Sequence, residues 1–305
     1  MWLAEFVRHT SPAVLEADQR YAALHVDETE LGRLVVRPLH ESHAYETALV
    51  LTEAFLIDNQ PPEFSWMLAE LQREARHYAV RPAPVTHGCV DIGEPWLDEP
   101  WRAQAGNAAA ARADEERIRT ESAWGRWLWL VAELEPHDPA LRPVGQETRV
   151  LGATALLFHG RTAALAALAA LRPPVSPAAM DFSLWLARQP PADLPHDRAA
   201  FLWWTGVDYR FRRRGVAQAL IAACEAVALA AGFPDLYIQA ATTARDPGSP
   251  LGGWLNQAYT AAEATYARAG YEAWRPPAPD LLHWDSVDRS AVLMHKHLFP
   301  LATRR

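Results

Sequence analysis

Apolar and polar positions alternate in short blocks along this chain, and the blocks predict a strand-rich protein with several amphipathic helices. Leu34–Pro38 (LVVRP) reads as a short strand. An amphipathic helix over Ser42–Leu56 follows, with Tyr45, Leu49, Thr52, Ala54 and Phe55 on its apolar face. Asp58–Pro62 (DNQPP) ends that helix, because a residue before proline resists the helical region. A second helix is predicted over Phe64–Tyr78, then a Pro- and Trp-rich stretch, Arg81–Trp101, and a solvated helix over 107–122 with little to bury. Trp127–Glu135 and Thr148–Phe158 are apolar strands around a turn rich in Pro, Asp and Gly, the pattern of a hairpin. Residues 159–198 are an Ala/Pro insertion, and Phe201–Val207 is a buried strand. The next helix runs to Ala231, with Leu220, Ile221, Cys224, Val227 and Ala231 at helical spacing and Gly232 with Pro234 as its stop. A strand Asp235–Ala240, a Gly/Pro loop, a helix Asn256–Ala269 and two short strands, Tyr271–Trp274 and Ala291–Lys296, close the chain. Residues 1–32 read as a loosely amphipathic N-terminal extension, and 33–299 as one domain with insertions at about 80–123 and 159–198.

Composition narrows the function classes. With 305 residues, 50% of them hydrophobic and 22% charged, the chain is a packed globular protein rather than a disordered one. Cys89 and Cys224 are expected to be free thiols in a reducing compartment, Cys224 as a small core hydrophobe. Of the 29 basic residues only Lys296 is a lysine, and no Walker loop surrounds it, which excludes P-loop and two-lysine chemistries. Residues 1–150 hold 14 basic and 25 acidic side chains, a net −11, whereas 151–305 hold 15 and 12, a net +3. That asymmetry argues against a nucleic-acid partner and suits a basic site for an anion beside a cationic acceptor. No apolar run reaches the roughly 20 uninterrupted residues of a membrane span. The N-terminus lacks the features of a secretory or transit signal, so the expected location is cytoplasmic, with a plastid or other organelle as the alternative.

One segment concentrates the chemistry. Val207-Asp-Tyr-Arg-Phe-Arg212-Arg-Arg-Gly215-Val-Ala217-Gln is a strand that turns into a helix through three consecutive arginines and a glycine. No Ser, Thr or Asp stands immediately before Val216 to cap the helix. Its first N–H groups therefore lack an evident partner, and its positive dipole end sits beside Arg212, Arg213 and Arg214. A phosphate or pyrophosphate would satisfy both, with Gly215 admitting it close to the backbone.

Arg212-x-x-Gly215-x-Ala217 at the end of an apolar strand resembles the pyrophosphate motif (Q/R)-x-x-G-x-(G/A) of the GNAT N-acetyltransferases. Tyr266-Ala-Arg-Ala-Gly270-Tyr271 is similar to that family's Tyr-x-x-x-Gly-(Phe/Tyr) helix end, Val292–Lys296 to its last strand, and Leu34–Phe55 to its first strand and helix. The Asn usual seven residues before the tyrosine is Tyr259 here. The resemblance implies an α/β fold with a mixed, mostly antiparallel central sheet, helices on both faces, and acetyl-CoA wedged where the fourth and fifth strands part. It implies that Val207, Asp208 and Tyr209 offer groups to the pantetheine arm and carbonyl, and that Arg212, Arg213, Arg214, Gly215, Val216, Ala217 and Gln218 grip the pyrophosphate. It implies Tyr266 as general acid for the departing thiolate, against the alternative of a packing tyrosine.

For the general base, period-two alternation puts Trp127, Trp129, Val131, Glu133 and Glu135 on one face of their strand. Glu133 is the expected base at the acceptor cleft, with Asp208 and Glu263 as rivals. His295 with His297, and His40 with His43, share faces, but no Cys or carboxylate completes either set at a familiar metal-ligand spacing, so no metal is expected. The expected activity is transfer of acetyl from acetyl-CoA to a primary amine, a protein N-terminus or lysine, by a monomer or homodimer. The alternatives are a small-amine acetyltransferase for polyamines or aminoglycoside-like substrates, and a non-catalytic acyl-CoA-binding module.

Overall fold

The computed structural model describes residues 21–55, 64–80, 126–142, 148–160, 198–231, 233–241, 262–273 and 291–298. Cys89, the helix expected over 107–122, nearly all of both insertions and the start of the helix expected from Asn256 lie outside the described residues. The described residues fall into two compact units, the first drawn from the ranges 1–83, 128–156 and 202–227, the second from 84–127, 157–201 and 228–305.

The strands β1 (His25–Thr29), β2 (Gly32–Pro38), β3 (Arg126–Pro136), β4 (Arg149–Gly160) and β5 (Arg198–Val207) lie side by side in that order, and the first unit holds β1, β2 and residues 128–136, 149–156 and 202–207 of the other three. β1 with β2 and β2 with β3 are antiparallel. The helices are α1 (Ala44–Phe55), entered through a 3-10 turn at Glu41–His43, then α2 (Phe64–Val80), which packs on α1, and α3 (Val216–Ala230). Helix α3 forms because Val216, Ala219, Leu220, Ala223, Cys224 and Val227 recur at helical spacing, and all six are buried. Cys224 is the core hydrophobe its position implied, and burial pushes its thiol up, away from reactivity.

β1 corrects the sequence reading, which left 1–32 as an extension. HVDET has one apolar residue, Val26, and that side chain is exposed, so the strand carries no hydrophobic signature and is held by backbone pairing to β2. The turn between them is fixed by Thr29, whose hydroxyl donates to the Gly32 carbonyl at 2.7 Å and accepts from Leu31 N–H at 3.2 Å. Gly32 has φ +145°, and a Cβ there would lie 2.1 Å from the Glu135 carbonyl oxygen, so β3 approaches too closely for any side chain. Gly32→Ala is expected to cost on the order of 1–3 kcal/mol in urea unfolding. An unchanged midpoint would show that the hairpin gives way freely.

In the second unit β6 (Asp235–Ala241), β7 (Glu272–Ala273) and β8 (Ala291–His297) run in the order β6-β8-β7, with both pairings antiparallel. Residues 262–268 are helical, and Phe158 packs on Phe233 at 4.9 Å between ring centres. The whole is a mixed α/β protein with mostly antiparallel strand pairing, as the sequence implied.

Candidate functional site

β5 ends at Val207, and the five residues that follow, Asp208 to Arg212, carry a compact polar network. Asp208 donates its N–H to the Leu151 carbonyl at 2.8 Å and caps a 3-10 turn over Tyr209–Phe211, its Oδ1 accepting from Arg210 N–H at 3.0 Å. The Arg210 guanidinium doubles back onto the same carboxylate, Nε to Oδ1 at 2.9 Å and an NH2 nitrogen to Oδ2 at 2.7 Å, and Arg149 stands 3.6 Å from Oδ2. Burial raises the Asp208 carboxyl pKa, but the hydrogen bonds from Arg210 outweigh it and hold it below the usual range. Asp208 thus anchors the loop, its carboxylate committed to Arg210. Tyr209 is exposed.

The turn into α3 comes next. Arg212 donates from Nε to the Val207 carbonyl at 3.3 Å, so this carbonyl, expected to face the pantetheine arm, already has a partner within the loop. Arg213 adopts φ +64° and Gly215 φ +85°, two left-handed residues flanking Arg214. For Gly215 the conformation alone requires glycine, since a Cβ would meet nothing within 4 Å and the space before it is open. Gly215 is also the cap residue, its carbonyl accepting from Ala219 N–H at 2.9 Å, and it has no side chain to satisfy the first N–H groups of α3. Among the described residues neither Arg213 nor Arg214 makes an ion pair or a side-chain hydrogen bond, and both are exposed. A cleft of about 280 Å³ opens beside them, walled by Leu34, Leu134, Leu151 and Val216 and rimmed by the β1–β2 turn. Backbone donors at a dipole's positive end, two free guanidinium groups and a glycine with open space before it are chemically suited to an anion, while Glu30 of the β1–β2 turn lines the same cleft. Val216, Ala217 and Gln218 form the first turn of α3 beside that cleft.

Glu133 requires a correction. Alternation placed it on the right face, opposite Val35 of β2, yet that face is covered: the side chain is 1% exposed. Its Oε2 lies 3.1 Å from Arg37 Nε, itself fully buried, and its Oε1 meets His43 Nε2. Arg37 also donates to the Tyr21 carbonyl at 3.3 Å. Burial raises the Glu133 carboxyl pKa, but His43 and then Arg37 outweigh it and hold it below the ordinary 4.5. A carboxylate kept ionised by two partners and closed off from solvent does not take a proton from an incoming amine, so Glu133 is an internal counter-ion. Glu263, by contrast, is half-buried on the helix 262–268 and makes no ion pair among the described residues.

In the second unit Tyr266 is 8% exposed, one turn beyond Glu263. Its ring stands edge-on to Tyr271 at 6.2 Å, and its carbonyl accepts from Tyr271 N–H at 3.0 Å. The same unit holds a cluster that spacing missed. Asp235, opposite His297 across the β6–β8 pair, takes both His295 Nε2 at 2.9 Å and His297 Nδ1 at 3.0 Å on one oxygen. Register, not sequence distance, supplies the carboxylate. Burial raises the Asp235 carboxyl pKa, and the two histidine contacts more than reverse this. Among the described residues no three His, Cys, Asp or Glu side chains are arranged to hold a metal ion.

No family model matches the chain, and no curated protein matches it. Solved structures do. Acetyltransferases are among the solved structures that this chain is similar to. They include an agmatine N-acetyltransferase (13% identity, 89% of this chain and 100% of that one, TM-score 0.42). Others are the PaiA N-acetyltransferase of Thermoplasma acidophilum in complex with coenzyme A (8% identity, 87% and 98%, TM-score 0.36) and the GNAT domain of S. lividans PAT (13%, 92% and 98%, TM-score 0.36). Among the described residues no helix is long and apolar enough to cross a membrane.

Proposed function

We propose that this protein is an acetyl-CoA-dependent N-acetyltransferase. The observation that carries the reading is the start of α3, where an uncapped helix end meets the unpaired Arg213 and Arg214 at a loop whose motif resembles the GNAT pyrophosphate signature. A pyrophosphate there would accept from the free N–H groups and neutralise both guanidinium groups, which hydrogen-bond phosphate oxygens strongly. Acetyl-CoA supplies a thioester whose carbonyl carbon is open to attack by an amine.

The chain's residues then have three tasks. The loop from Arg212 to Gln218 fixes the pyrophosphate end and so sets the reach of the thioester. A base receives the amine's proton, directly or through water, while Glu133 and Asp208 are both committed to ion pairs. Tyr266 passes its phenolic proton to the sulfur as the carbon–sulfur bond breaks, so coenzyme A leaves as a thiol and the amide remains. The acceptor is a cationic amine, a protein N-terminus or lysine or else a small amine, and the −11 of residues 1–150 favours a cation either way.

One observation favours a second reading, a module that binds acyl-CoA without turnover: the expected base Glu133 is sealed in the core. Thiol release from acetyl-CoA, measured against a panel of peptides, polyamines and aminoglycosides, separates the two. Acceptor-dependent release supports the enzyme, and tight CoA binding without release on any amine supports the module.

A further inference from the structure

Lys296 stands where the helix bearing Tyr266 ends. In a chain whose other basic residues are all arginine, its ammonium donates to the Ala269 carbonyl at 2.8 Å, in the last turn of that helix. The same nitrogen lies 5.6 Å from the centre of the Tyr271 ring, within range of a cation–π contact. Tyr271 in turn touches Tyr266 twice, through the backbone bond and the edge-on rings. Between the two tyrosines the chain reverses at Gly270, φ +88°, where the nearest atom to a would-be Cβ is Lys296 Cε at 3.7 Å. The lysine stem therefore lies along the turn while its head closes the helix end.

We infer that Lys296 is a positioning residue for Tyr266, fixing the helix terminus and the Tyr271 ring so that the Tyr266 hydroxyl is held in one direction. This rests on the reading of Tyr266 as the proton donor. A cation at a helix C-terminus is also favoured by the dipole, so the contact suits the local electrostatics as well as the geometry. No bond is made or broken at Lys296.

The test is a double-mutant cycle on the full chain with acetyl-CoA and the best acceptor from the panel, using Lys296→Met, which keeps the stem, Lys296→Arg, which keeps the charge, and Tyr266→Phe. Lys296→Met is expected to lower kcat roughly 10- to 100-fold with KM for acetyl-CoA unchanged, as a misaimed group does. Lys296→Arg should recover much of that loss. In the Tyr266→Phe background Lys296→Met should have no further effect, because the two act as one unit. An equal loss from Lys296→Met in both backgrounds, or none in the wild type, overturns the inference while leaving Tyr266 as the acid. Wild-type turnover by Tyr266→Phe overturns both. A second readout needs no turnover: in protein labelled with 3-fluorotyrosine, the fluorine resonance that Tyr266→Phe removes should shift in Lys296→Met. An unmoved resonance contradicts the inference even if the protein proves to be no enzyme.

Discussion

Glu133→Ala is expected to destabilise the protein by about 3–5 kcal/mol, the cost of leaving a buried arginine without its counter-ion. Arg37 has no exposure, and Glu133 is the carboxylate beside it, so removing the acid strands a positive charge on the sheet face that Val35 and Val131 share. Glu133→Gln, which keeps the shape, should lose most of the same stability, because its amide cannot balance the guanidinium. Either loss is read as a fall in the urea midpoint. The pH dependence has a definite sign. Since the folded state holds this carboxyl below its ordinary 4.5, its contribution is fully present above that value and disappears as pH falls through the lower folded value. The wild type should therefore lose stability on acidification below about 4.5 more steeply than Glu133→Gln. Parallel pH curves for the two, or a fully stable Glu133→Ala with reduced turnover, would return Glu133 to the role of an accessible base.

Tyr266→Phe should leave folding and CoA affinity nearly unchanged while the rate falls by roughly 10²–10⁴-fold, the range of a positioned proton donor. The ring and its edge-on packing against Tyr271 survive the change, and only the hydroxyl is removed. The side chain is almost wholly buried, so its thermal midpoint is a sensitive control for packing. Stopped-flow measurement of thiol release, under conditions where chemistry limits, reads the effect. A variant as fast as the wild type makes Tyr266 a packing residue and moves the proton source to water.

Helix α3, β3, β4 and the Gly215 loop are legible in the sequence because burial on one face writes a period into consecutive residues, and because a missing cap is visible locally. β1 is not legible, since an edge strand held by backbone pairing needs no apolar pattern and HVDET has almost none. Glu133 shows a different limit. Alternation tells which face a side chain joins, but whether that face is open depends on Arg37 and His43, which are distant in the chain and close in the fold. Asp235 is a third case, brought to His295 and His297 only by the register of β6 on β8. Tyr266 and the arginine loop emerge from spacing and motif together, with each signal local to its own segment.

The most direct measurement is a calorimetric titration of coenzyme A into the wild type and into an Arg213→Glu/Arg214→Glu variant. Both arginines are exposed and unpaired, so the double variant should fold as the wild type does. The wild type should bind one coenzyme A per chain, and the variant should bind at least about 100-fold more weakly, given roughly 1.5–3 kcal/mol for each charge-assisted hydrogen bond removed. A wild type that does not bind coenzyme A, or a folded variant that binds it equally well, would contradict the assignment of this loop.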